Sequence, residues 1–270
     1  MAKPADDILL KSVTDGVMTI TLNRPASLNG LTITLVSRIN AALREAEARP
    51  DVRVVVLTGA GRAFCAGGDV KGFARNVAGG DDLPSFDNKV TTLRARMEVS
   101  RWLHEMPKPT LAVIPGPAAG AGFAMALACD MRIAADDAKL TTAFSRIGLS
   151  GDFGGSYFLS KLVGPAKARE MYFTAEVLRG DQAHALGLVN RCVPLADLPQ
   201  AARAYAQELA ALPTVAIGYM KRNLNAAGRQ SLSEVMDTEA VHMVRTFDTD
   251  DHKNAALAFV DKREPQFQGR

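Results

Sequence analysis

Apolar and polar positions alternate through Gly16–Pro25, GVMTITLNRP, and the alternation stops at a proline, which predicts a strand with one face in the core. The period then changes. From Thr32 to Ala48 the apolar side chains Leu35, Ile39, Leu43 and Ala46 recur at helical spacing with charges opposite them, so an amphipathic helix is expected. The near-continuous β-branched run VRVVVLTG, Val52–Gly59, predicts a strand covered on both faces. A helix over Val90–Glu105, a strand at Thr110–Ile114, a short buried helix over Gly122–Ala128 and a strand at Met131–Asp136 follow. Strand and helix thus alternate, with Gly-rich loops at the strand ends, and this predicts an α/β body. From Leu198 the pattern is helical as far as Val260. The expected division is a body at 1–197 and a helical C-terminal region at 198–270.

Composition narrows this picture in a few places. With 47% hydrophobic and 23% charged residues, the 270-residue chain has the make-up of a soluble globular protein rather than a disordered one. A net charge of +3, with Lys and Arg scattered rather than striped, argues against a nucleic-acid partner. The uncharged run Leu111–Cys129 is broken by prolines and glycines, a poor membrane span, so no membrane partner is expected. Cys65, Cys129 and Cys192 are odd in number and lack ligand spacing, and the four histidines form no ligand pattern. The expectations are a reducing, cytoplasmic location and no metal site. The N-terminus MAKPADDILL lacks the layout of a signal peptide.

Three stretches carry candidate chemistry. After the strand at Val52–Gly59, the pair Gly59 and Gly61 invites a dinucleotide-binding reading. Phe64 occupies the place of the third glycine, and the acidic residue that should follow is missing, so that reading fails. The next residues, Cys65–Asp69 (CAGGD), and the loop opening the helix in Gly116–Asp130 are of greater interest. Glycines there let backbone amides approach a ligand, and free amides at a helix start accept an anionic oxygen. Together the loops could form an oxyanion hole made of backbone, although glycines also serve plain tight turns. The third stretch is Ile147–Leu159, IGLSGDFGGSYFL, whose one charge is Asp152. It reads either as a turn aspartate or as an acid/base facing an apolar pocket.

The ordered pair FCAGGD and GPAAGAGFAMALACD resembles the enoyl-CoA hydratase/isomerase (crotonase) family. ITLNRP, AFSRIGL, the stretch Leu162–Val193 and the terminal AFVDKREPQF extend the resemblance along nearly the whole chain. It implies a spiral of strand-strand-helix units, with a C-terminal helical region that caps the site and builds trimers or dimers of trimers. The implied substrate is an acyl-CoA thioester, with coenzyme A as part of the substrate and no separate cofactor. The implied enolate-stabilising amides are those of Gly68 and Ala121. Ala66, Asp69, Val70 and Lys71 fall along the implied substrate path, Phe144 lines it, and Phe259 and Lys262 match a pair that reaches CoA across a subunit boundary.

The departures from the family pattern carry the functional expectation. The two glutamate positions of the family's hydratases hold Ala124 and Phe144 here, and neither side chain can move a proton. Asp152 stands where the branches with a catalytic aspartate keep theirs, and the surrounding stretch resembles the enoyl and ring-epoxide isomerases. Where that branch has Pro-Asp this chain has Gly151-Asp152, a change expected to loosen the local backbone. Apolar walls from Phe144, Phe153 and Tyr157 are expected to raise the Asp152 pKa. The reading is an isomerase. A hydratase using Asp152 and water, a hydrolase or dehalogenase with Asp152 as nucleophile and a non-catalytic acyl-CoA binder stay open as alternatives.

Overall fold

The computed structural model describes residues 7–68 and 84–270. The chain enters through an antiparallel hairpin, β1 (Leu9–Thr14) and β2 (Val17–Leu22). Asp15 and Gly16 close it with φ of 51° and 77°, the left-handed pair that a two-residue hairpin turn demands. β1 is absent from the pattern reading because it lies mostly exposed at a sheet edge. The Asp15-Gly16 dipeptide was its signal.

The alternation in β2 does what it implies: Met18, Ile20 and Leu22 are fully buried. Helix α1 (Ile33–Ala48) follows, with the Thr32 hydroxyl accepting from the Leu35 amide at 3.2 Å, and buries Leu35, Ile39, Leu43 and Ala46 as one face. β3 (Val54–Gly59), β4 (Thr110–Ile114), β6 (Met131–Ala135) and β9 (Arg191–Val193) run parallel to β2. Among the described residues they form a six-stranded sheet in the order β1-β2-β3-β4-β6-β9. Three short strands, β5 (Ala118–Ala119), β7 (Lys139–Thr141) and β8 (Leu178–Arg179), pair separately.

The helix expected over Val90–Glu105 is two helices, α2 (Phe86–Arg96) and α3 (Glu98–Glu105). The Ser85 side chain caps the first and moves its start to Phe86, and at Met97 ψ flattens to −10° where the two meet. Helix α4 (Ala121–Ala128) is buried along its whole length. Helix α5 (Gly155–Thr174) is kinked at Gly164, whose φ of 76° and ψ of 164° precede Pro165. The short α6 (Gly180–Ala185) returns the chain to β9.

From Leu198 onward the described elements are helices: α7 (Leu198–Ala210), α8 (Thr214–Ala227), α9 (Leu232–Phe247) and α10 (Asp250–Val260). α7 lies on the sheet and buries Leu198, Tyr205 and Leu209. α8 is pinned through Lys221, whose Nζ donates to Asp130 Oδ2 at 2.7 Å and to the Leu103 and Lys108 carbonyls. Arg53 fastens the last residues, donating to the Leu212 and Phe267 carbonyls and to Thr214 Oγ1. Among the described residues, no helix is long and apolar enough to cross a membrane.

Candidate active site

The Gly-rich stretch after β3 is stitched down on both sides. The Phe64 and Cys65 amides donate to the Pro117 carbonyl at 3.1 and 3.2 Å, and the Ala119 amide donates back to the Cys65 carbonyl at 2.9 Å. On the other flank the Ala66 amide donates to Leu28 O and the Leu31 amide to Gly67 O. Behind this clamp sits Asn29, fully buried at φ 58°, whose side-chain amide donates to the Ala60 and Ala63 carbonyls and whose Oδ1 accepts from the Arg24 amide. Asn29 was not singled out from sequence. The Asn29-Gly30 pair, a common turn former, was the available signal.

The second loop turns into α4 at Gly120, where φ 51° and ψ −125° are open to glycine and to little else. The helix presses directly on the first loop: a Cβ on Gly122 would stand 2.3 Å from the Cys65 carbonyl oxygen. A Cβ on Gly67 would stand 3.6 Å from the Ala121 nitrogen, so Gly67, the residue before Gly68, lies beside the start of the helix. The first bond of the helical ladder runs from Ala124 N to Gly120 O, which leaves the Ala121 N–H outside the ladder. Among the described residues neither the Gly68 nor the Ala121 amide has a backbone acceptor. Two main-chain donors on converging loops can together hold one oxyanion.

Asp152 occupies a turn of unusual backbone. Gly151, Phe153 and Gly154 have φ of 104°, 50° and 74°, and the Asp152 carbonyl accepts from the Gly155 amide at 3.1 Å. Gly151 is therefore no slack link. It holds a conformation that proline, fixed near φ −65°, is unable to adopt. One carboxylate oxygen, Oδ1, is buried without a hydrogen-bond partner. Burial pushes the Asp152 carboxyl up to about 6, because the charged form loses water without gaining a cation.

Phe144 and Phe153 are buried around this turn as expected, but Tyr157 is not part of the wall. It lies partly exposed, packed against His104, Phe158 and Lys161. The aromatic wall is completed by Tyr172, which the sequence reading missed. Its ring stacks on Phe144, and its hydroxyl lies where a Cβ on Gly155 would stand, at 2.5 Å. The paired glycines at 151 and 155 signalled space for a bulky group. The kink at Gly164 hid which helical residue fills it.

The two halves of the site meet through small residues. Ala124 Cβ lies 3.1 Å from the Cβ position of Gly155, and Phe144 packs on Gly120. The turn carrying Asp152 thus abuts the first turn of the helix that presents the Ala121 amide. Ala66 is half-buried, with its amide engaged by Leu28. Phe259 and Lys262 stand exposed on the surface of the single chain. Asp69, Val70 and Lys71 lie outside the described residues. No group of three His, Cys, Asp or Glu side chains able to hold a metal ion forms among the described residues.

The sequence model of the family described as enoyl-CoA hydratase/isomerase matches residues 12–270. The chain belongs to the enoyl-CoA hydratase/isomerase family. Within it, the chain is 35% identical to 1,2-epoxyphenylacetyl-CoA isomerase of Escherichia coli, over 98% of this chain and 99% of that protein. It is 32% identical to short-chain-enoyl-CoA hydratase of Clostridium acetobutylicum, with 92% of each covered. The crystal structure of enoyl-CoA hydratase from Bacillus anthracis superposes with a TM-score of 0.88 at 30% identity, covering 98% of this chain and 100% of that one. The architecture is the crotonase fold, and the protein is an enzyme of the enoyl-CoA hydratase/isomerase family.

Proposed function

We propose that this enzyme isomerises acyl-CoA thioesters, shifting a double bond or opening a ring epoxide by proton transfer through a thioester enolate. The observation that supports this most is Asp152, a carboxylate with a buried, unpartnered oxygen and a pKa of about 6, on a turn that abuts α4. In this reading the Gly68 and Ala121 amides hold the thioester oxygen as negative charge develops on it. Asp152 takes the proton from the carbon next to the carbonyl and returns it two carbons further along. A single carboxylate suffices, because the proton removed is the proton restored. Adding water would call for an acid and a base on either side of the double bond, and the Ala124 and Phe144 side chains offer neither.

The remaining roles follow from the same reading. Ala66, Asp69, Val70 and Lys71 line the coenzyme A portion, and Phe259 and Lys262 reach it from a neighbouring subunit of a trimer or dimer of trimers. Phe259 is 86% exposed and Leu224 and Leu232 are more than 70% exposed, which supports an apolar surface reserved for another copy. Buried, unpaired Cys65 and Cys129, with thiols pushed up to about 12, are inert and suit a reducing cytoplasm.

The test is Asp152→Asn assayed with 3-enoyl-CoA esters and by α-proton exchange in heavy water. Turnover and exchange should fall about 10³-fold with the dissociation constant of the ester unchanged. Exchange persisting in the variant, or binding lost while turnover survives, would remove Asp152 from the role.

A further inference from the structure

Tyr172 is a polar group in this neighbourhood that the proton transfer leaves unused. Its ring is held 6.0 Å from Phe144 with the planes 13° apart, so the direction of its hydroxyl is fixed. Oη lies 2.5 Å from the Cβ position of Gly155 and 3.5 Å from that of Gly151, and Ala124 Cβ is 3.1 Å from the same Gly155 point. Gly151, Gly155 and Ala124 thus lie close to the phenol, and none of the three has a polar side chain to accept from it. Burial, followed by the Asp152 charge, pushes the phenol up to about 12, so it stays a hydrogen-bond donor at any ordinary pH.

Its depth in the site can be read from α4. Ala124 is one helical turn on from Ala121, a separation of about 5–6 Å. A thioester oxygen resting on the Ala121 amide, with the acyl chain running along this face of the helix, brings the third and fourth acyl carbons beside the Tyr172 hydroxyl. Opposite a plain hydrocarbon that donor would stay unpaired, at a cost of about 1–3 kcal/mol.

We propose that Tyr172 is a specificity-determining residue, whose hydroxyl donates a hydrogen bond to an oxygen on the third or fourth carbon of the acyl group. The substrate class is then oxygen-bearing acyl-CoA thioesters rather than simple hydrocarbon ones. This inference rests on the acyl-CoA reading of the site.

The experiment is calorimetric titration of the wild-type protein and Tyr172→Phe with butanoyl-CoA, 3-hydroxybutanoyl-CoA and 4-hydroxybutanoyl-CoA. The wild type should bind at least one hydroxylated ester about 5- to 10-fold tighter than butanoyl-CoA, the range of a neutral hydrogen bond. Tyr172→Phe keeps the stacked ring and should lose that preference, with its butanoyl-CoA affinity within about twofold of wild type. A wild type without preference overturns the inference, whatever the variant does, and so does a variant that keeps it. In both cases butanoyl-CoA binding still upholds the acyl-CoA reading. If none of the three esters binds, that reading falls and takes the inference with it.

Discussion

Phe144 and Tyr172 lie nearly parallel, and the backbone of Gly151 runs against their edges. A Cβ at 151 would stand 2.9 Å from Tyr172 Cε1 and 3.5 Å from Phe144 Cδ2, on a residue already at φ 104°. Gly151→Ala should therefore cost about 1–3 kcal/mol from backbone strain alone. Thermal melts report that loss. Steady-state assays should show kcat falling more than KM rises, since the turn displaced is the one bearing Asp152.

The Asp152 carboxyl titrates at about 6 rather than its ordinary 3.8. Between these values the folded chain holds a proton that the unfolded chain has released. Wild-type stability therefore drops as pH climbs from about 4 to about 6 and is level above that. Asp152→Asn lacks this loss. Melting curves should coincide below about pH 4, and the variant should become the more stable protein as pH passes 6. In the proposed reaction the base must be ionised, so kcat/KM of the wild type should rise with pH through about 6 and then plateau.

Gly122 lets α4 touch the first glycine loop. A methyl group there meets the Cys65 carbonyl oxygen at 2.3 Å, so Gly122→Ala must push the helix start away and carry the Ala121 amide with it. In the proposed reaction that amide is one of two oxyanion donors, and loss of one such donor typically costs about 10²- to 10³-fold in kcat. We expect a loss of that size, measured on any turned-over ester, in a protein whose circular dichroism is unchanged.

Lys221 joins α8 to the sheet through Asp130, 2.7 Å away, and two main-chain carbonyls. Lys221→Met leaves the Asp130 carboxylate without its cation and should cost about 3 kcal/mol. Chemical denaturation checks the figure. Turnover per folded molecule should not change, because this contact lies outside the site.

How much of this was legible in the sequence depends on whether the signal was local. Val54–Gly59 and Ile33–Ala48 were plain, since each satisfies its own period and buries the face that period selects. β1 was not, because an exposed edge strand has no apolar period to display. Asp152 stood out as a lone charge in an apolar run, and both glycine loops were evident as motifs. That the two loops could meet on one oxygen was read from them as well, but not the contacts that seat them, which depend on Gly122 and Gly67 pressing two distant segments together. Tyr172 was hidden for a related reason. Gly164 resets the phase of its helix, so no spacing count from Gly155 says which way the ring points.

The fit between the ring at 172 and the bare backbone at 151 and 155 makes these positions a single unit of inheritance. Any side chain at 151 or 155 must be matched by a smaller or displaced group at 172, whichever change comes first. Transplanting the aspartate turn from a family member with proline before the aspartate would meet two obstacles, the φ of 104° at position 151 and the ring at 172, so the whole turn and the helical tyrosine would have to be exchanged together. Engineering of acyl preference in this enzyme should treat the three as one cassette.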